Sequence, residues 1–311
     1  MSVRVLLTCP PMLGMKERFI ETFARRGIEL HCPQVLQTLS EDVLVTLVPE
    51  FDGWIIGDDP ATRRVLSAGR QGRLRAAVKW GIGVDNVDFR AAADLGIRIT
   101  NTPQMFGAEV ADLAMSYLTA LARETFPIDR AIRSGEWPKP RGISLAGRTL
   151  ALAGFGDIGR NLARRALAAE LRVIAYDPGV DSAGGLDVRF ATWPAGVEDA
   201  DFLALTCSLN AGNRHMLDAK VLGRCKRGLR VINVARGPLI DEEALIAALA
   251  DGTVHSAALD VFEKEPLPVD SPLRSHPRCI FGSHNGSNTE DAVIRASNRA
   301  IEILLGYLDT V

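Results

Sequence analysis

Three polar side chains that could carry out proton chemistry follow apolar, strand-like stretches in the second half of the chain. Arg236 follows VINVA, Glu265 follows ALDVF, and His284 follows CIF. An imidazole is a natural general acid or base near neutral pH, and a carboxylate bonded to it fixes its tautomer. A planar guanidinium binds a carboxylate through two parallel hydrogen bonds. Together beside a hydride donor, these groups would suit hydride exchange with an alcohol or carbonyl next to a carboxylate.

Each of these residues also has an ordinary structural interpretation. An arginine after a strand is most often a surface or capping group, although loops of this kind carry function preferentially. Glu265 has charged neighbours that suggest a solvated turn. His284 lies among Gly, Ser and Asn, so its neighbours in the sequence do not indicate an apolar core in which the imidazole would be packed. Three other histidines are interpreted as structural or solvated, namely His215, His255 and His276.

A glycine-rich turn follows the strand-like LALAG and opens a helical pattern. Its first glycine permits the tight turn, the second lets the backbone approach a pyrophosphate, and the third lets helix pack on strand. Asp177 ends the next strand and would accept hydrogen bonds from ribose hydroxyls, which favours NAD over NADP. The alternative is a packing turn without a ligand. The predicted cofactor contacts in the turn are Gly154, Gly156, Asp157, Ile158 and Gly159.

A second turn, GIGVDN at residues 81–86, has Asn where a third glycine would stand. We therefore do not predict a second dinucleotide site there. Its amides could hold a small anion, because such sheets bind ligands at the carboxyl ends of their strands. Lys79, just before the turn, could meet a phosphate or second carboxylate, or be a solvated lysine.

The elements that must position these residues alternate between short β-type runs and longer helical patterns. This alternation predicts an α/β protein with two doubly wound parallel-sheet domains, of which the one with the glycine-rich turn is a Rossmann nucleotide-binding domain. A second series begins at Leu150 and runs through LALAG, RVIAYD, DFLALTCS, RVINVA and SAALDVF. The predicted strands of the first series span 3–8, 53–56, 76–80 and 97–100, a connecting helix spans 103–123, and a closing helix spans 291–308.

Composition excludes several classes of function. The 311 residues exceed the size of a usual single core, which favours two domains. The 36 basic and 38 acidic residues give a net charge of -2 without a basic run, so we expect no nucleic-acid partner. The five cysteines form no C-x-x-C pair, so we predict neither a metal site nor a disulfide framework. The sequence has no apolar run typical of a secretory signal or of a membrane-spanning helix. We therefore expect a cytoplasmic protein without membrane contact.

On these residues the chain resembles the D-isomer-specific 2-hydroxyacid dehydrogenase family, in particular its phosphoglycerate-dehydrogenase-like branch. The motifs stand in family order over about two-thirds of the chain, which makes the resemblance more specific than the glycine turn alone. They are KWGIGVDNVD (79–88), ITNTP (99–103), GRTLALAGFGDIGR (147–160), VINVARGPLIDEEAL (231–245), ALDVFEKEP (258–266) and SHNGSNT (283–289).

The resemblance implies a role for each candidate residue. Arg236 would bind the substrate carboxylate, Glu265 would partner the imidazole, and His284 would donate the proton in 2-oxoacid reduction. NAD would be the cofactor, and Asp260 would hold its carboxamide. Further predicted cofactor contacts are Cys207, Val234, Ala235 and Gly286, and predicted substrate contacts besides Arg236 are Lys79, Gly81, Ile82 and Gly83.

The resemblance also implies an organisation and an activity. Residues 1–100 and 286–311 would form a discontinuous substrate-binding domain of the flavodoxin-like type, and residues 101–285 the NAD-binding Rossmann domain of a homodimer. The predicted activity is NAD-dependent interconversion of a D-2-hydroxyacid and its 2-oxoacid, of the 3-phosphoglycerate or hydroxypyruvate/glyoxylate type. The alternative is a non-catalytic NAD(H)-sensing protein of the co-repressor kind. Gly57 stands at the position where phosphoglycerate-specific members of the family share an arginine. The resemblance therefore does not decide which 2-hydroxyacid is the substrate.

Overall fold

The computed structural model describes residues 2–309, which form two compact units. One unit comprises the residues up to Phe106 and those from Asn288 onward, and the other is Gly107–Ser287. The divisions thus fall at 106/107 and 287/288, beside the predicted divisions at 100/101 and 285/286. Residues 1, 310 and 311 of the predicted substrate-binding domain lie outside the described residues.

Twelve strands and eleven α-helices are found in the described chain. The strands are β1 (Val3–Leu7), β2 (Ile28–His31), β3 (Gly53–Ile56), β4 (Ala76–Lys79), β5 (Arg98–Asn101), β6 (Thr149–Ala153), β7 (Arg172–Tyr176), β8 (Val188–Phe190), β9 (Phe202–Leu205), β10 (Leu229–Asn233), β11 (Val254–Leu259) and β12 (Cys279–Phe281). The helices are α1 (Pro10–Leu13), α2 (Glu17–Ala24), α3 (Glu41–Leu47), α4 (Arg63–Gln71), α5 (Phe89–Asp94), α6 (Gly107–Arg123), α7 (Thr125–Arg133), α8 (Asp157–Ala168), α9 (Ala219–Leu222), α10 (Glu242–Asp251) and α11 (Glu290–Leu308).

The first unit is a five-stranded sheet in the order β2-β1-β3-β4-β5, with every pair parallel. β3 and β4 are buried along their whole length, as expected of parallel strands covered on both faces. The terminal helix α11 packs against both of them. A Cβ on Gly53 would lie 3.2 Å from the side chain of Leu304, so the glycine lets this helix approach β3 closely. The predicted flavodoxin-like topology is confirmed.

The second unit is a seven-stranded parallel sheet in the order β12-β11-β10-β9-β6-β7-β8. The strand order reverses between β9 and β6, as in a Rossmann fold. α6 packs on α8 and against β10 and β11. α10 is capped at both ends, because Asp241 accepts a hydrogen bond from the amide of Ala244 at 3.1 Å and Gly252 ends the helix with φ +79°.

Four features depart from the predicted elements. The edge strands β2 and β8 were not predicted, and both are short and partly exposed. α7, which has no buried side chain, was not predicted either. The connecting helix begins at Gly107 and not at residue 103, because the chain first passes through a turn in which Gln104 has φ +58°.

Candidate active site

The three candidate catalytic residues follow neighbouring strands of the second sheet. Arg236 follows β10, Glu265 follows β11 and His284 follows β12. These strands are adjacent and parallel in the sheet. Their carboxyl ends therefore share one edge, the edge at which open α/β sheets bind ligands.

The imidazole and the carboxylate are in direct contact. Nδ1 of His284 lies 2.8 Å from Oε2 of Glu265, and each side chain is 21% exposed. The other carboxylate oxygen, Oε1, accepts a hydrogen bond from the amide of Phe262 at 3.0 Å. Because an ionised carboxylate only accepts hydrogen bonds, Nδ1 carries a proton, and Nε2 is the nitrogen that can exchange one.

A buried aspartate holds the loop that carries the imidazole. His284 has φ +56°, an unusual value for a residue with a side chain. Its amide donates to the carbonyl oxygen of Asp260 at 2.6 Å, and the Asp260 carboxylate accepts from the amides of Asn285 at 3.1 Å and Gly286 at 2.9 Å. A Cβ on Gly282 would lie 2.0 Å from that carboxylate. Burial raises the pKa of Asp260, which is 1% exposed. Its implied contact with a carboxamide stays a prediction.

The loop that carries Arg236 is held by an asparagine that the sequence did not indicate. Asn233 is 1% exposed, donates from Nδ2 to the carbonyl oxygen of Arg236 at 2.8 Å and accepts from the amide of Ala235 at 3.0 Å. Nη1 of Arg236 donates to the carbonyl oxygen of Ala235 at 2.8 Å. A Cβ on Gly237 would lie 1.8 Å from the carbonyl carbon of Phe262, so this loop packs directly on the loop after β11.

A second imidazole and carboxylate pair lies beside the first. Nε2 of His215 is in hydrogen-bond contact with Oε1 of Glu263, which agrees with the structural one of the two interpretations given for His215. The amide of Glu263 also donates to Oε1 of Glu242 at 2.6 Å. Burial raises the pKa of Glu242, and repulsion from Glu263 and Glu265 acts in the same direction. These contacts connect the loops after β9 and β11 with the start of α10.

Two of the three glycines in the turn after β6 are required by close contacts within the chain. Gly154 has φ +96°, and a Cβ there would lie 2.5 Å from the amide of Cys207, which follows β9. A Cβ on Gly159 would lie 2.2 Å from the carbonyl oxygen of Gly154, so only glycine lets α8 pack on the turn. Gly156, in contrast, is exposed, and a Cβ there would meet no other atom within 4 Å. This open position lies at the N-terminus of α8, whose amides favour anions.

The other predicted cofactor residues lie at the same edge. The Asp177 carboxylate follows β7 and accepts from the amides of Phe155 at 2.7 Å and Gly179 at 2.9 Å. A carboxylate has about four lone-pair positions, so it can still accept from a hydroxyl. Burial raises the pKa of the Cys207 thiol to about 11. Of the remaining predicted contacts, Asp157 and Ile158 begin α8, Val234 and Ala235 follow β10, and Gly286 follows β12.

The predicted substrate residues Lys79, Gly81, Ile82 and Gly83 belong to the first unit. Lys79 is 3% exposed and donates to Oδ1 of Asp58 at 3.1 Å and to the carbonyl oxygen of Trp80 at 2.9 Å. The interpretation of Lys79 as a solvated lysine is therefore wrong. In the turn that follows, the amide of Gly81 donates to the Thr102 hydroxyl at 2.8 Å.

Residues 2–309 contain no group of three or more His, Cys, Asp and Glu side chains that could hold a metal ion. In the same part of the chain, no helix has the length and apolar character needed to cross a bilayer. All five cysteines are free thiols.

Comparison with known proteins identifies the family. Residues 115–286 match the model for the NAD binding domain of the D-isomer specific 2-hydroxyacid dehydrogenases. The chain belongs to this family. The resemblance inferred from the sequence motifs is thereby confirmed, and so is the assignment of the second unit's glycine turn to an NAD-binding domain.

Individual relatives agree with this assignment. A hydroxypyruvate reductase of Thermotoga maritima is 35% identical over 270 residues, which cover 85% of this chain and 87% of that protein. The chloroplastic D-3-phosphoglycerate dehydrogenase 3 of Arabidopsis thaliana is 35% identical over 274 residues, or 87% of this chain. The chain spans about half the length of that plant relative, 47%. A solved structure from Thermus thermophilus is 31% identical with a TM-score of 0.87, covering 99% of this chain and 97% of its own.

Proposed function

We propose that this chain is an NAD-dependent dehydrogenase that interconverts a D-2-hydroxyacid and its 2-oxoacid. The observation that carries the proposal is the contact between Nδ1 of His284 and Oε2 of Glu265, made at the sheet edge that also carries the glycine turn. No comparison supports the alternative of a non-catalytic NAD(H) sensor, since the relatives above are named as enzymes.

The residues present fit NAD. The open position at Gly156 leaves room for a pyrophosphate beside the amides of α8. At positions 154 and 159 any larger residue would collide with the backbone. Asp177 suits the ribose hydroxyls of NAD and would repel the extra phosphate of NADP. We propose the same cofactor role for Asp157, Ile158, Cys207, Val234, Ala235, Asp260 and Gly286, all at this edge.

The side chains divide the chemistry of oxoacid reduction among them. Bound NADH would supply the hydride that adds to C2 of the oxoacid. His284 would donate the proton from Nε2 to the carbonyl oxygen, so that the ketone becomes an alcohol. Glu265 stabilises the charged imidazole before transfer. Arg236 would bind the substrate carboxylate with its planar fork and so orient C2. In the oxidation direction, the same imidazole accepts the proton.

We propose that the first unit is the substrate-binding domain and that a homodimer forms through the second unit. The helix α7 supports the dimer, because it has no buried side chain and its Phe126 and Ile132 are each 43% exposed. Trp137, which follows, is 79% exposed, so three large apolar side chains within twelve residues of the chain face solvent, which supports an interface at this segment. The five free thiols support a reducing compartment such as the cytoplasm.

The test is NADH consumption with a panel of 2-oxoacids that includes hydroxypyruvate, glyoxylate and 3-phosphohydroxypyruvate. We expect turnover with at least one of them, and a decrease in kcat of about 10² to 10⁴ in a His284→Ala variant that still binds NADH. Tight NADH binding without turnover of any oxoacid would contradict the proposed activity. Undiminished turnover in the variant would contradict the role of His284.

A further inference from the structure

His215 occupies a backbone conformation that its residue type disfavours. It lies in the loop after β9 with φ +54°, a left-handed value that glycine adopts far more readily. The candidate proton donor His284 has almost the same value, φ +56°. Residues stay in such conformations only where the surrounding structure holds them, and they are frequent at active sites. The contacts of His215 therefore indicate what its position serves.

The backbone of His215 is joined to the loop after β10. Its amide donates to the carbonyl oxygen of Pro238 at 2.8 Å, and Pro238 stands two residues after Arg236. The pairing continues along the chain, because the amide of Leu217 donates to the carbonyl oxygen of Leu239 at 3.1 Å. The backbone at position 215 is thus attached to the loop that carries the candidate arginine.

The imidazole of His215 extends from there to the loop after β11. Nε2 contacts Oε1 of Glu263, which stands two residues before Glu265. The amide of Glu263 donates to Oε1 of Glu242 at 2.6 Å, and the amide of Phe262 donates to Oε1 of Glu265 at 3.0 Å. The place of residue 263 therefore also fixes the carboxylate of the candidate catalytic pair.

Three carboxylates lie close together at this point, those of Glu242, Glu263 and Glu265. Burial raises the pKa of Glu242, and repulsion from the other two acts in the same direction. The imidazole of His215 donates to one of the three, and a protonated imidazole also offsets their repulsion. Removing the imidazole would leave the repulsion and take away the donor that holds Glu263.

We propose that His215 is a positioning residue for the candidate catalytic groups. Its side chain holds the loop of Glu265 through Glu263, and its backbone is bonded to the loop of Arg236, so one residue sets the two loops relative to each other. The proposal rests on the proposed dehydrogenase activity and adds a residue to it. His215 acts through Glu265 and exchanges no proton with the substrate.

Three variants at position 215 separate positioning from stability. His215→Ala removes the donor, whereas His215→Gln places an amide N–H near the position of Nε2 and keeps it. With NADH and an oxoacid that is turned over, we expect kcat to fall by about tenfold in His215→Ala and by less than about threefold in His215→Gln, with little change in KM. His215→Gly relieves the left-handed backbone, so it should melt at a higher temperature than His215→Ala and still lose as much kcat.

A double variant tests whether the effect passes through Glu265. In a Glu265→Gln background, His215→Ala should lower kcat by less than about twofold further, because the carboxylate that it positions is already gone. Arg214→Ala truncates the adjacent exposed side chain and should keep wild-type kcat. Two results would overturn the proposal. One is a full, independent loss in the double variant, and the other is a kcat of His215→Ala within about twofold of the Arg214→Ala control.

Amide hydrogen exchange provides a readout that needs no activity. In His215→Ala, the amides of Phe262 and Glu263 should exchange about tenfold faster, because their loop is released. The amides of Asn285 and Gly286, bonded in the loop after β12, should keep their rates. Unchanged exchange at residues 262 and 263 would overturn the positioning. Faster exchange there, in a protein that turns over no oxoacid, would support the positioning and contradict only the dehydrogenase activity.

Discussion

Replacing Glu265 with glutamine tests the imidazole and carboxylate pair with almost no change in shape. Both oxygens of the carboxylate accept hydrogen bonds, Oε2 from Nδ1 of His284 and Oε1 from the amide of Phe262. A glutamine has one accepting oxygen and one donating NH₂ group. It can satisfy only one of these two donors, so the variant loses a charge and also leaves one N–H facing another donor.

The two losses affect different measurements. The imidazole ring and the carboxylate have their charges about 4 Å apart, which corresponds to about 1 kcal/mol in a water-like medium and about 4 kcal/mol near a protein surface. Since each side chain is 21% exposed, we take an intermediate value of about 1 to 3 kcal/mol. At about 1.4 kcal/mol per factor of ten, kcat should fall by about 10- to 100-fold. The unsatisfied donor is present with and without substrate, so it should lower stability by about 1 to 3 kcal/mol and leave kcat unaffected.

The assay is single-turnover oxidation of NADH with saturating hydroxypyruvate, together with NADH titration and urea denaturation. Glu243→Gln is the matched control, because it removes the same charge from an exposed position on α10. We expect the control to keep wild-type kcat and stability. If kcat of Glu265→Gln stayed within about twofold of the control, the carboxylate would have no electrostatic role, and the reasoning from the observed contact would be refuted.

Three further predictions address other parts of the second unit. Arg236→Lys should lower kcat/KM for the oxoacid by about 10- to 100-fold, because the bidentate fork is lost, and steady-state kinetics at fixed NADH measure this. Gly159→Ala should lower the melting temperature by about 5 °C or more, since its Cβ would lie 2.2 Å from a carbonyl oxygen, whereas Gly156→Ala should keep it and weaken NADH binding by about tenfold. Burial lowers the pKa of His255 from 6.5 to about 4. The unfolded imidazole therefore takes up a proton as pH falls from 7 to 5 while the folded one does not, so urea denaturation should show about 2 kcal/mol less stability at pH 5, and less of this loss in His255→Gln.

The sequence predicted the interior of both sheets because its apolar runs are dictated by burial on two faces. β3, β4 and β6 are buried throughout and were all recognised. β2 and β8 were missed because four and three residues are too few to establish an apolar period. α7 was missed because none of its side chains is buried.

In the candidate site too, some residues could be predicted from the sequence and others could not. The positions of His284, Glu265 and Arg236 after neighbouring strands could be predicted because each is a reactive type that follows an apolar run, while their catalytic roles stay predictions. Their supports could not, because an asparagine such as Asn233 acquires its role only from where the chain turns next. The need for glycine at position 237 could not be predicted either. It arises because a Cβ there would lie 1.8 Å from the carbonyl carbon of Phe262, which is 25 positions further along the chain.

Lys79 shows why residue type alone cannot give the chemistry of a site. A lysine next to a glycine turn suggests a phosphate or a second carboxylate as ligand. This interpretation assumes that its ammonium group is exposed and has no carboxylate partner in the chain. In the folded chain its ammonium group faces Asp58 from the preceding strand loop and is almost completely buried. Of the two paired charges, the one that is partly exposed is therefore the negative charge of Asp58, at 30% exposure, and not the positive charge of the lysine. Whether a basic residue attracts an anion is decided by its nearest partner and its burial, and both are set by strand order rather than by the local sequence.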